Sequence, residues 1–544
     1  MGPDRLRSLA VTGIIGAFLF LFFSASQQSF EPRADFAFCN QSEISSLDPH
    51  LASGIPEGRI LRSLFEGLTR LDGKTLEALP GMATSWESDT DGLTWRFHLR
   101  SGSRWTNGDM VTAHDFVFSI RRLLDPRTAA PYAYMGWFIN GGEALTSADP
   151  TDPQMDASKL PLGVHAISDT ELEIRLDAPC TFLPRLLAFT PFLPVHPHSV
   201  QSHPDDWIHP DYLVTNGPFR LVDRRVRDRI RLKRFGGYWG QDEVYLETID
   251  AYAADGETTQ LNMYLTGQVD WVIKPPPSLY EEVLPRKDAH VGPQAGVTFL
   301  RFQVERPPFN NPSVRRALTL ALDREALAQN VMRGGEVAIH SFVPGGIDEY
   351  STAHLPSFDP HLARESLAEA GYPDGKGFPP FELLYPTNEI TRDFCEAIAQ
   401  QWQDELGIRA HPTNETWKVY LDSQTQGKYQ VSWSAWIADY LDASSFLDIF
   451  TSQSSNNRTG WKNAVYDEWV DKANSEVTSR QRAAYHRRAE QILLTELPIA
   501  PVYQRVNVNL VHPRVAGFSD NLLDEHPLRD LRITAPPTPP GLNP

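Results

Sequence analysis

The sequence predicts an α/β fold built from more than one domain. Apolar patterns of strand length and helix length alternate between residues 381 and 436, the sign of parallel βαβ units. The chain has 544 residues, 41% hydrophobic and 11% aromatic, which suffices for large cores and excludes global disorder. At roughly 150 residues per domain, that length corresponds to three or four domain equivalents. Its 43 prolines favour long ordered loops over bundles of long helices. The balance of 50 Lys and Arg against 69 Asp and Glu, a net charge of −19, argues against a partner made of nucleic acid or anionic lipid. Cys39, Cys180 and Cys395 are too few and too scattered for a disulfide framework or a thiolate metal site.

Arg5 and Arg7 precede an apolar run from Leu9 to Phe23, followed by Ser24-Ala25-Ser26. That order over residues 1–26 is a secretory signal, with an uncleaved membrane anchor as the alternative. The apolar run is shorter than the ~20 residues that span a bilayer. Phe36 to Cys39 reads as a strand, and Ile60, Leu61, Leu64, Phe65 and Leu68 follow at helical spacing. Alternation from Leu93 places Leu93, Trp95, Phe97 and Leu99 on one face of a strand. Asn107-Gly108-Asp109 is a turn; Thr112, with Asp115 three residues on, then starts a helix striped by Phe116, Ile120 and Leu123.

Residues 145–215, rich in Pro, Asp and His, read as loops and short strands. Asn311-Pro312 starts a helix whose buried face is Val314, Ala317, Leu318, Ala321 and Leu322. The β-α rhythm runs through a strand Phe381 to Tyr385, a helix Ile390 to Leu406 stopped by Gly407, and a strand Ile408 to His411. A short helix from Trp417 and a strand from Tyr429 to Trp436 complete it. The Pro-rich tail, residues 533–544, is expected to be disordered.

No enzyme motif emerges. Gly73-Lys74-Thr75 resembles the end of a P-loop, but five residues separate Gly67 from Gly73 where the phosphate cradle needs four, so it reads as a turn. There is no Gly-x-Ser-x-Gly elbow and no His-Glu-x-x-His helix. His196, His198, His203 and His209 are the best metal candidates, yet they fit no standard ligand spacing and read as a solvated loop. A carboxylate pair for glycoside hydrolysis stays open on composition alone.

One set of motifs is specific. Trp95 to Arg100, Trp105, Gly108, Val111-Thr112-Ala113, Asp115 to Ser119 and Asp125-Pro126 resemble the peptide-binding solute-binding subunits of bacterial ABC importers. The resemblance spans nearly the whole mature chain. Ser46 to His50 and Leu64 to Leu68 lie upstream; Thr128 to Tyr132, Thr215 to Pro218, Arg234 to Trp239 and Pro308 to Asn310 follow in order. Arg315 to Leu318, Ala321 to Arg324, Ala438-Asp439-Tyr440 and Ser454 to Asn457 complete the series.

The resemblance implies a two-lobed clamshell, the periplasmic-binding-protein fold (class II-like), with an additional inserted domain. It assigns lobe I to residues 33–65, 190–297 and 509–532, the inserted domain to 66–189 and lobe II to 298–508. The crossovers then fall near Gly296 to Thr298 and Gln504 to Asn507. The implied function is capture of oligopeptides between the lobes and delivery to the permease subunits of an ABC transporter. No catalysis, cofactor or metal is expected, nor any nucleic-acid partner. The protein is expected to be an exported, extracytoplasmic monomer. A nickel chelate, haem or a murein peptide as ligand, or a membrane-tethered sensor or hydrolase on the same fold, are the alternatives.

By the same resemblance Asp439 takes the place of the anchor for a peptide's α-ammonium, beside Trp436 and Ala438 in the ligand-contacting segment. Ser53, Gly54 and Ile55 match a strand edge of lobe I that pairs with the ligand backbone, and Tyr132, Trp417 and Trp436 line the pocket. Several positions depart from the family's pattern. Gln424 and Trp433 stand where the best-known oligopeptide binder has arginines, with Trp433 kept as a pocket residue. Thr391, next to Arg392, replaces a histidine that receives the ligand carboxylate; Ser53 replaces an acidic residue. Gly296 and Ile437 stand at a bridging cysteine pair.

Overall fold

A computed structural model describes residues 32–534, apart from 153–154, 255 and 348–349. The leader at 1–26 and the tail from 535 lie outside the described residues. An eleven-stranded sheet organises the α/β body. Its path starts at Ala410–Glu415 and passes through Phe381–Pro386, Val431–Ile437, Ala289–Phe302 and Ile499–Val511. It ends with Trp271–Ile273, Phe36–Cys39, Thr248–Tyr252, Arg229–Arg234 and Phe219–Arg225, while the short Val337–Ala338 pairs off the path. A separate four-stranded antiparallel sheet holds Ala83–Ser88, Thr94–Leu99, Glu171–Arg175 and Val164–Ser168.

The expected βαβ units are present. Phe381–Pro386 runs parallel to both Ala410–Glu415 and the start of Val431–Ile437, with the helices Glu389–Leu406 and Trp417–Thr425 as the crossovers. The middle strand starts at Ala410 rather than Ile408. Gly407 adopts φ 67°, and the Ile408 N–H still reaches back to the Trp402 carbonyl (3.3 Å), so Ile408 belongs to the helix stop. Asn311 caps Pro312–Leu320 by accepting the Ser313 N–H at 2.9 Å, and its apolar stripe is fully buried. The first helix, Ile55–Leu64, is shorter than the apolar spacing suggested. Asn216 ends it by clasping the backbone of Glu66 from both sides, at 3.0 and 2.9 Å.

Ala289–Phe302 and Ile499–Val511 run antiparallel through the centre of the sheet and join its two halves. Their pairing is regular from Ala289 to Pro293 and shifts before Val297, beside the segments that the resemblance nominates as crossovers. In the second half the sheet is buried on both faces. Val297 and Phe299 join a core with Phe342, Phe450 and Leu493, while Leu300 and Phe302 join one with Phe309, Phe381 and Trp402. In the first half a continuous apolar cluster runs from Phe36 and Phe38 through Phe65 to Phe97, Trp105 and Phe116. Residues of the segment 66–189 therefore share one core with Phe36, Phe38 and Phe65.

The turn at Gly73-Lys74-Thr75 is closed by Asp72, whose Oδ1 accepts the N–H groups of Lys74 (2.9 Å) and Thr75 (2.7 Å). The four histidines fall into two pairs, His196 with His198 edge-on at 6.4 Å, and His203 with His209 on either side of contacts to Tyr212. His196 accepts the Ser199 N–H at the start of a short helix and meets Asp109 at 3.0 Å, whereas His203 stacks on Tyr212 with ring centres 3.7 Å apart. All three cysteines are buried and free.

Candidate functional site: a sheet edge beside a half-buried carboxylate

Val431–Ile437 lies antiparallel to Ala289–Phe302, with Ile437 opposite Gly296 and Val431 opposite Phe302. On its other side it pairs with Phe381–Pro386 only at Val431 and Ser432. The Ala438 N–H donates to the Ala295 carbonyl at 2.8 Å. By alternation, the backbone groups of Trp433, Ala435 and Ile437 point away from that partner strand. The Trp433 carbonyl is taken by the Tyr420 hydroxyl and by the Gln424 amide, the latter at 3.1 Å. Among the described residues, no strand covers Ala435 to Ile437 on that side. A free sheet edge of this kind is a template for an extended chain.

Asp439 stands two residues beyond the edge. Its N–H donates to Ser445 Oγ at 3.0 Å, and its carboxylate accepts the Tyr134 hydroxyl. Burial pushes the carboxyl up to about 6, and the bond from Tyr134 pulls it only partly back. Among the described residues, no Lys, Arg or His forms an ion pair with it. A desolvated carboxylate with one neutral donor is an unsatisfied acceptor of positive charge.

Tyr132 lies within electrostatic reach of Asp439 and donates to the Ser53 carbonyl at 3.2 Å. Its ring meets Phe189 edge-on at 5.5 Å and Tyr134 at 6.1 Å. This chain of contacts brings Ser53, Tyr132, Tyr134 and Asp439 together from three distant stretches of sequence. Trp417 is 60% exposed and stacks on Tyr420, the residue that holds the Trp433 carbonyl, while the Trp433 ring packs half-buried against the core of Phe309, Phe381 and Trp402.

Two expected site features are corrected, the Ser53 to Ile55 strand edge and the Ala438 contact. Ser53, Gly54 and Ile55 form no strand edge: Gly54 is the N-cap and Ile55 the first residue of the helix Ile55–Leu64. Pro56 lacks the N–H that a ladder requires, and its fixed φ suits a first turn. Ala438 contributes no exposed side chain, since its methyl sits in the second core and its N–H is taken by Ala295. Trp436 lies half-buried against that core and donates its indole N–H to the Ser445 carbonyl at 2.7 Å. Tyr134 and Ser445 hold Asp439 as well, and the sequence marks them only by the repeats Tyr132-Ala133-Tyr134 and Ser444-Ser445.

Residues 77–458 match the family described as bacterial extracellular solute-binding proteins, family 5 (middle). The chain belongs to that family. The periplasmic oligopeptide-binding protein OppA of Salmonella typhimurium is 33% identical over 492 residues, 88% of this chain and 89% of its own. The Escherichia coli murein tripeptide-binding protein MppA aligns with a TM-score of 0.76 at 31% identity, over 92% of this chain and 99% of its own. Haemophilus influenzae OppA in complex with RPPGFSPFR gives 0.74 at 30% identity, over 93% and 100%. The two-lobed α/β fold of this family 5 protein is thus shared with binding proteins described as periplasmic. Among the described residues, no helix is long and apolar enough to cross a membrane.

The departures from the family's pattern have local explanations in this solute-binding protein. Gln424 is 3% exposed, and its Nε2 donates to Ser432 (2.8 Å) and Ser434 (3.0 Å) beneath the edge strand. Thr391 lies in the first turn of Glu389–Leu406 and gives its N–H to the cap Asn388 at 3.1 Å. Arg392 is engaged by Asp393 at 2.9 Å and Glu389 at 3.7 Å on its own helix. Gly296 and Ile437 face each other directly across the two strands.

Proposed function

We propose that this protein binds oligopeptides outside the cytoplasm and passes them to the permease of an ABC transporter. The ligand lies extended along the Ala435 to Ile437 edge, with its α-ammonium against Asp439. One observation carries this reading: a half-buried, desolvated carboxylate with no cation paired to it among the described residues, two residues past a strand edge that none of them covers. Main-chain pairing at such an edge is indifferent to ligand sequence, as a carrier of varied peptides requires. Tyr132, Tyr134, Trp417 and Trp433 supply aromatic surface around it, and the Ser53 carbonyl faces the site through Tyr132. In this reading lobe I comprises 33–65, 190–297 and 509–532, lobe II 298–508, and the segment 66–189 extends lobe I. The chain acts as a monomer, exported by its leader, and performs no chemistry on the ligand.

Native mass spectrometry of the purified protein, followed by sequencing of what it releases on denaturation, tests the proposal. Peptides with free N-termini are expected. Release of a metal chelate, haem or a sterol and no peptide overturns it.

A further inference from the structure

We infer that Arg301 and Arg458, next to the end of the Val431–Ile437 strand away from Asp439, receive a carboxylate of the bound peptide. The carboxylate belongs to a peptide held as proposed above, some residues beyond its α-ammonium, so the site rests on that reading.

Arg301 sits opposite Ser432 in the sheet, so the two side chains leave the same face. Gln424 Nε2 donates to Ser432 Oγ (2.8 Å), to Ser434 Oγ (3.0 Å) and to the Trp433 carbonyl at the edge (3.1 Å). On its other side, Gln424 Oε1 accepts from Arg458 Nη1 at 3.3 Å. The Tyr420 hydroxyl, which also holds the Trp433 carbonyl, lies within electrostatic reach of Arg301, as do Tyr429 and Arg458. Two guanidinium groups therefore face one another near the edge, and among the described residues neither forms an ion pair with a carboxylate. A ligand whose ammonium meets Asp439 runs from Ile437 back toward Trp433, roughly 13 Å or about four residues at 3.3 Å each. Its distal half then lies beside the two arginines.

Buried arginines elsewhere in this chain are satisfied without an anion. Arg315 and Arg324 each place Nε and both Nη groups on backbone carbonyls. Arg301 is 4% exposed, yet it gives one hydrogen bond, from Nη1 to the Asn456 carbonyl at 2.9 Å. Its Nε is buried without a partner, and so is that of Arg458. The Phe299 and Phe450 rings, 5.3 and 6.0 Å from the Arg301 head, offer a quadrupole and no counterion. Water can accept from a leftover N–H, but it leaves two like charges unneutralised in a desolvated place. A carboxylate accepts from both and cancels the repulsion. The cationic charge absent from positions 424 and 433 is thus supplied next to them by Arg301 and Arg458.

Calorimetry of the full chain with tetra-alanine, tetra-alanine amide, and the amides carrying one glutamate in place of an alanine tests the site. Tetra-alanine, or one of the glutamate amides, is expected to bind at least about tenfold more tightly than tetra-alanine amide. The first outcome assigns the C-terminal carboxylate and the second a side chain. The preference should collapse toward one in Arg301→Met and in Arg458→Gln; the second position is half-buried and serves where the first variant fails to fold. A merely structural role would weaken every peptide alike and leave the ratio unchanged. Equal binding of all the peptides, or a preference retained by Arg458→Gln, overturns the site while the peptide reading stands. Binding of none of them overturns both.

Discussion

The rings of Phe182 and Tyr440 stack face to face, with centres 4.7 Å apart and planes 8° from parallel. Arg482, ion-paired to Asp442 at 2.8 Å, lies 5.1 Å from the Phe182 ring. Tyr440 follows Asp439 in the chain, whereas Phe182 comes from a stretch more than 250 residues earlier, so the stack ties two distant segments together next to Asp439. An aromatic pair is worth about 0.5–1.5 kcal/mol beyond its buried area. Phe182→Ala should therefore shift the free protein toward its open form and weaken peptide binding by up to about tenfold. Small-angle scattering of the unliganded variant should give a larger radius of gyration; an unchanged radius contradicts the role.

Asp439 should discriminate peptides by their N-terminus. Removing one member of a buried charged pair costs about 2–5 kcal/mol. Calorimetry of Asp439→Asn should show a loss well above tenfold for free-amine peptides and little change for their N-acetylated forms. Equal losses for both would remove the ammonium from the site.

The same residue should set a pH dependence. Burial raises the Asp439 carboxyl from 3.8 to about 6, so the folded state favours the neutral form. Its contribution to the stability of the unliganded protein is complete below the unfolded value and is lost as pH rises through about 6. Asp439→Asn should then stabilise the free protein at pH 8 by up to about 3 kcal/mol, and hardly at all at pH 4. Affinity for free-amine peptides should fall in the wild type below pH 6, because the carboxylate that meets the ammonium becomes neutral. Denaturant titrations at the two pH values check the sign.

Ala435→Pro tests the sheet edge. The Ala435 N–H points to the uncovered side, so a proline there leaves the ladder to Ala289–Phe302 intact. The variant should fold with nearly unchanged Tm and bind peptides at least about tenfold more weakly, since a main-chain bond is lost and the ring blocks the edge. Full affinity would place the ligand elsewhere.

Much of this fold was legible locally. Asn311-Pro312 specifies a helix start through a side-chain cap and a fixed φ, and the stripe from Val314 to Leu322 states which face is buried. Gly407, at φ 67°, ends its helix where the sequence places the stop. What misled was local as well. Ile408 is apolar in either a strand or a helix stop, and only its hydrogen bond back to Trp402 decides between them. Leu64, Phe65 and Leu68 keep helical spacing, yet the helix ends at Leu64 because Asn216, 150 residues downstream of Glu66, takes up the Glu66 backbone.

The sequence by itself determined the family, the βαβ order from Phe381 to Ile437 and the position of Asp439 after an apolar strand. Tertiary structure decided what surrounds that carboxylate: the Tyr134 hydroxyl beside it, the lack of a paired cation among the described residues and the desolvation that raises its pKa. It also decided that Ser53 to Ile55 enter a helix and that residues of 66–189 share one core with Phe36, Phe38 and Phe65. Propensity, capping and periodicity act over a few residues and can be read along the chain. Desolvation, an uncovered edge and an unpaired charge depend on which distant groups do and do not come near, and a linear sequence does not record that.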